Sequence, residues 1–145
     1  MNHIHRLPAE LRRLFFAEAE TETGIPFPIV EKDYWVVWTL DRLFSIPEIK
    51  THLTFKGGTS LSKVYRVISR FSEDIDVSIE KDFLGFTHEK DPEKAASKKK
   101  TRAAVEALAS ACAKYVRNDL RTALRALIAS EMGTDQGWDL VIDPK

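Results

Sequence analysis

Lys56-Gly57-Gly58-Thr59-Ser60-Leu61-Ser62-Lys63, followed by Arg70-Phe71-Ser72-Glu73-Asp74-Ile75-Asp76-Val77, joins a glycine turn opening into a helix to two aspartates on alternate residues of an apolar strand. Leu53-Thr54-Phe55 just before it alternates apolar and polar and predicts a short strand. Gly57 and Gly58 permit a turn that other residues resist and let a ligand approach the backbone closely. Thr59 or Ser60 suits the N-cap of a following helix, whose apolar positions Leu61, Val64, Tyr65 and Ile68 recur at helical spacing. A helix start carries unpaired N–H groups and the positive end of a dipole, so this corner favours anionic oxygen, with Lys63 adding a point charge. A plain strand–turn–helix corner with no ligand is the competing interpretation.

The second half tips the balance. Ile75, Val77 and Ile79 alternate with Asp74, Asp76 and Ser78, which predicts a strand carrying both aspartates on one face. Like charges at neighbouring same-face positions repel unless a cation lies between them. Mg²⁺ (or Mn²⁺) satisfies that requirement, because it takes carboxylate ligands together with substrate phosphates. Two solvated acids on an exposed sheet face are the bland alternative. With a phosphate-seeking corner just upstream, chemistry on a nucleoside triphosphate is favoured.

These residues resemble a known family. A Gly-Gly corner, a helix and then Asp-x-Asp on a strand is similar to the signature of the polymerase-β-like nucleotidyltransferases. The fuller wording from Phe55 to Lys63 and from Arg70 to Asp76 resembles the AbiEii-type branch, toxins of bacterial type IV toxin–antitoxin and abortive-infection systems. Glu31-Lys32-Asp33-Tyr34-Trp35 also matches a segment that such proteins carry upstream. The resemblance spans roughly residues 28 to 80.

It implies a metal-dependent enzyme that transfers a nucleotide from a nucleoside triphosphate to an acceptor such as tRNA. Asp74 and Asp76 would be the catalytic acids and metal ligands. Gly57, Gly58, Thr59, Ser60 and Lys63 would cradle phosphates. Arg70 would clamp phosphate too, or pair structurally with Glu73. The implied partners are the triphosphate, tRNA and a cognate antitoxin protein. Such enzymes use a third acid on a later strand; Asp139 and Asp143 are the strand-like acids left for that role. The family's members generally run past the point where this chain ends, so the expectation is one nucleotidyltransferase-like domain over residues 1–145 without the family's C-terminal part. Two alternatives stay open: a non-catalytic remnant that binds nucleotide or antitoxin, and a transferase acting on a protein or small molecule.

Composition sets outer bounds. A chain of 145 residues suits one domain, burying around two-thirds of its unfolded surface. Its 22 basic and 22 acidic residues cancel, so no global field draws nucleic acid and any RNA contact must come from a local patch. The single cysteine, Cys112, excludes an internal disulfide and suits a reducing cytoplasm. The densest apolar cluster, Tyr34 to Leu40, is far shorter than the ~20 residues a membrane span needs.

The remaining elements are expected as an α/β (or α+β) arrangement, a small mixed sheet with flanking helices. Pro8 to about Glu20 predicts a first helix with Leu11, Leu14, Phe15 and Ala19 as its inner face. A second helix is predicted from about Ile29 to Phe44, with Tyr34, Val37, Trp38 and Leu40 in the core. Lys81 to Lys100 is expected as a loop or mobile connector, its lysine run a solvated helix entry rather than an RNA patch. Thr101 to about Met132 predicts helix, with a break near Asn118-Asp119, and Trp138 to Asp143 predicts a last strand.

Overall fold

The structure, a computed structural model, describes residues 3–56 and 75–144. Helix α1 (Ala9–Thr23) and helix α2 (Phe27–Leu43) form an N-terminal hairpin. Gly24 ends α1 in the left-handed conformation at φ 74°, a backbone that glycine adopts without a side-chain penalty. Pro26 holds the N-cap position of α2 and Pro28 lies in its first turn, where the missing N–H costs nothing. The Glu20 carboxylate accepts from the Phe27 N–H, so α1 supplies the acceptor that the start of α2 lacks.

Strand β1 (Leu53–Lys56) pairs antiparallel with strand β2 (Asp76–Ile79), in the register Leu53↔Ile79, Thr54↔Ser78, Phe55↔Val77 and Lys56↔Asp76. Among the described residues the sheet is this antiparallel pair rather than a mixed one. Helix α3 (Lys98–Tyr115) then runs through a π-helical turn (Val116–Leu120) into helix α4 (Arg121–Met132), which Gly133 ends. The break expected near Asn118-Asp119 is this wide turn, so the helix is rephased there rather than interrupted. The fold is α+β.

The core lies where α4, the hairpin and the segment after α2 meet. Ile46, Ile49, Leu53, Leu124 and Ile128 are buried together, with Ile49 fully enclosed. Trp38, Phe44, Val77, Ile79, Trp138 and Leu140 pack around them. Phe44 stacks on Phe55 with ring centroids 4.1 Å apart and planes at 18°, which fastens the end of α2 to β1. Arg42 bonds Glu131 at 3.1 Å and lies over the Trp38 ring, joining α2 to α4.

Several inward-facing assignments need correction. On α1 the buried residue is Phe16, 3% exposed, while Leu11, Leu14 and Phe15 are exposed. On α2 the buried pair is Val36 and Leu40, and Val37 faces solvent. Both helices carry more apolar residues than one face holds, so periodicity alone does not show which face meets its neighbour. Residues 134–144 include no strand. Trp138 and Leu140 pack on the core two residues apart, as a strand would place them, but they join no ladder among the described residues.

The expected mobile connector is instead fastened. Lys81 Nζ donates to Asp91 at 3.0 Å and to Glu93 at 2.8 Å, and Asp91 also accepts from the Glu93 N–H. Ser97 caps α3 by accepting from the Lys100 N–H. Lys98, Lys99 and Lys100 form that helix's exposed first turn. Among the described residues, no helix is long and apolar enough to cross a membrane.

Candidate functional site

The alternation read from the sequence is visible in the ladder. Leu53 and Phe55 on β1, with Val77 and Ile79 on β2, turn toward the core. By the pleat, Thr54, Lys56, Ser78 and Asp76 take the other face. Thr54, Lys56 and Asp76 are exposed. Beyond the Leu53↔Ile79 pair there is one more bond, Glu80 N–H to the His52 carbonyl at 2.9 Å, and the two side chains meet at 2.9 Å. At the other end the last described pair is Lys56↔Asp76.

That pair takes one residue from each of the two sequence stretches. Lys56 is the residue before Gly57, and Asp76 is the second acid of the Asp-x-Asp pair. Opposed residues of an antiparallel ladder have Cβ atoms about 4.5–5.5 Å apart, so twenty positions of sequence are closed to one residue pair. The expected site residues Gly57, Gly58, Thr59, Ser60, Lys63, Arg70 and Asp74 lie outside the described residues.

Helix α2 supplies a wall the sequence did not assign. Lys32, Trp35, Val36 and Thr39 line a cleft of about 410 Å³ together with Ile75, the residue before Asp76. The segment Glu31 to Trp35 was singled out by resemblance alone, and Lys32 and Trp35 within it reach the head of the acidic strand. Trp35 also contacts Tyr34 and Trp38 edge-on, and Arg12 lies over its ring, so packing fixes its plane.

Asp76 is a hard-oxygen donor at the surface, the ligand type that Mg²⁺ and Mn²⁺ take. Among the described residues, no three His, Cys, Asp or Glu side chains come together as a metal-holding group. Asp139 is engaged elsewhere. Its carboxylate accepts from Arg125 Nη1 at 3.1 Å and from the Leu140 N–H at 2.8 Å. The Arg125 bond, foremost, and that N–H hold its pKa below the usual carboxylate range.

His5 is buried against Trp38, and its backbone N–H donates to the Tyr34 hydroxyl at 3.1 Å. Burial, then the nearby Arg6, push its pKa below the ordinary histidine value. His5 thus serves as a packed ring of the N-terminal layer.

A family model described as nucleotidyl transferase AbiEii toxin, type IV TA system, matches residues 38–143. That match takes in the end of α2, strands β1 and β2, and both C-terminal helices. Neither a curated protein nor a solved structure matches the chain. With most of its length covered by the family model, the chain belongs to the AbiEii nucleotidyl transferase toxin family.

Proposed function

We propose that this protein is a metal-dependent nucleotidyltransferase that moves a nucleotidyl group from a nucleoside triphosphate to the 3′ end of tRNA, as the cytoplasmic toxin of a type IV pair with a cognate antitoxin protein. The observation that carries this reading is the register Lys56↔Asp76, which sets the residue before Gly57 opposite the second acid of the Asp-x-Asp pair, both of them exposed. Gly57, Gly58, Thr59 and Ser60 would hold the β- and γ-phosphates through backbone N–H groups, assisted by Lys63 and Arg70. Lys32, in the adjoining cleft, would add positive charge near the Lys56↔Asp76 pair.

Asp74 and Asp76 would hold Mg²⁺ or Mn²⁺, whose charge offsets that of the triphosphate and of the leaving pyrophosphate. Transfer forms a bond from the acceptor hydroxyl oxygen to the α-phosphorus and breaks the bridge to the β-phosphate. The hydroxyl proton passes to solvent or to a base.

The test is transfer of labelled nucleotide to total tRNA by the parent and by Asp76→Asn, beside calorimetry of triphosphate binding with metal and with chelator. Asp76 is exposed, so the variant should keep its fold while losing transfer by at least about a hundredfold, the effect of several kcal/mol of charge stabilisation. Transfer that survives Asp76→Asn overturns the assignment. A second reading, nucleotide binding without turnover, takes support from Asp139, which is tied to Arg125 rather than free to serve as a third acid. It predicts metal-dependent binding in the calorimeter and no label on any acceptor.

A further inference from the structure

The chain has no net charge, so a polyanion must be met by a local concentration of cations. One exists on the second half of the long helix. Arg117, Arg121 and Arg125 follow one another at four-residue steps and line one groove of about 430 Å³, with Thr122, Ala126 and Ala129. Four helical residues advance about 6 Å, so the guanidinium groups form a row rather than a cluster. Arg117 leaves from the π turn, the other two from α4.

The row is built with different degrees of constraint. Arg125 lies over the Trp138 ring at 5.2 Å and bonds Asp139, which fixes its plane at one end of the groove. Trp138 is itself held by its indole N–H to the Thr134 carbonyl at 2.8 Å. Arg117 and Arg121 make no ion pair among the described residues. Asp139 is the carboxylate bonded within the row, leaving three guanidinium groups against one acid.

We infer that this arginine groove grips the phosphodiester backbone of the RNA acceptor, an inference that rests on the proposed RNA-directed activity. Guanidinium groups present paired donors that match phosphate oxygens bidentately, and a row at helical spacing lies along successive phosphates. Thr122, Ala126 and Ala129 keep the groove shallow, so a backbone approaches the helix closely. An anionic membrane is the weaker fit, because the groove's lining has no large apolar side chain to insert. The lysine run at Lys98 starts α3 at the opposite end of the long helix and takes no part in the row.

Fluorescence anisotropy of labelled tRNA, titrated with the full chain over a range of salt concentrations, tests the groove. Each lost phosphate contact lowers the slope of log affinity against log salt by about 0.7–0.9. Arg117→Ala/Arg121→Ala should therefore flatten the slope by about 1.4–1.8, while Arg117→Lys/Arg121→Lys keeps most of it. Circular dichroism checks that the variants stay helical, and phosphatidylserine vesicles form a parallel arm.

Equal slopes for the parent and the double-alanine variant overturn the groove and leave the transferase reading standing. Loss of vesicle binding with tRNA binding unchanged overturns it in favour of a membrane. A parent chain with no affinity for tRNA overturns both. Binding with the expected slopes by a chain that transfers no nucleotide supports the groove and refutes the transferase reading.

Discussion

Removing the stack between Phe44 and Phe55 should weaken the hairpin by a measurable coupling energy. Phe44 follows the last residue of α2 and Phe55 sits on the core side of β1, one residue before Lys56. Their rings lie 4.1 Å apart and nearly parallel. Phe→Leu keeps most of the apolar area at either position but abolishes the ring contact. Aromatic pairs contribute about 0.5–1.5 kcal/mol beyond their burial, so that is the coupling expected from a double-mutant cycle. Parent, Phe44→Leu, Phe55→Leu and the double variant would each be unfolded in urea, with midpoints and slopes fitted together. Unchanged slopes with shifted midpoints show that stability alone has moved. Additivity of the two single effects, within about 0.3–0.5 kcal/mol, would refute the view that the stack fastens β1 to α2.

Other perturbations probe charges and caps. Ser97→Ala should cost about 1 kcal/mol by calorimetric melting, since the Ser97 hydroxyl accepts from the Lys100 N–H at the start of α3. The Asp91 pKa is held below its ordinary value by the Glu93 N–H and then by Lys81. Its contribution is therefore full above pH ~3.9 and lost as pH falls through the lower folded value, and urea midpoints of Asp91→Asn should show a flatter acid limb. Burial lowers the His5 pKa, so the native state binds fewer protons than the unfolded chain just below pH ~6.5. Stability should decline as pH drops through that window, and His5→Gln should remove the decline.

What could be read from the sequence follows from how local each signal is. The β1–β2 alternation involves neighbours along the chain, so the period-two pattern that separates Val77 and Ile79 from Asp76 and Ser78 is legible in the sequence and appears in the ladder. The inner face of α1 was misread because Leu11, Leu14, Phe15 and Phe16 offer two apolar faces, and only packing against α2 selects Phe16. Trp138 and Leu140 show true period-two burial, but a strand also needs a partner, which no local pattern supplies. The Lys81–Asp91–Glu93 clasp was invisible inside a polar stretch, because charge pairing across ten residues leaves no periodicity. At the candidate site, the register Lys56↔Asp76 ties the two motifs together, and the motif residues 57–74 lie outside the described residues. The cleft formed by Lys32, Trp35 and Thr39 depends on α2 reaching Ile75, a long-range fact.

The π turn at Val116–Leu120 sets the phase between two halves of one rod. Successive α-helical residues differ by about 100° around the axis, so one residue more or less rotates everything downstream by that angle. The wide turn absorbs its extra residue, so deleting Asn118 would return it to ordinary α-helix and leave Leu124 and Ile128 facing Ile49 and Leu53, whereas deleting a residue of α4 ahead of Leu124 would swing both away. One residue can be lost at the junction without turning the rod, while the same loss inside either half turns everything that follows it.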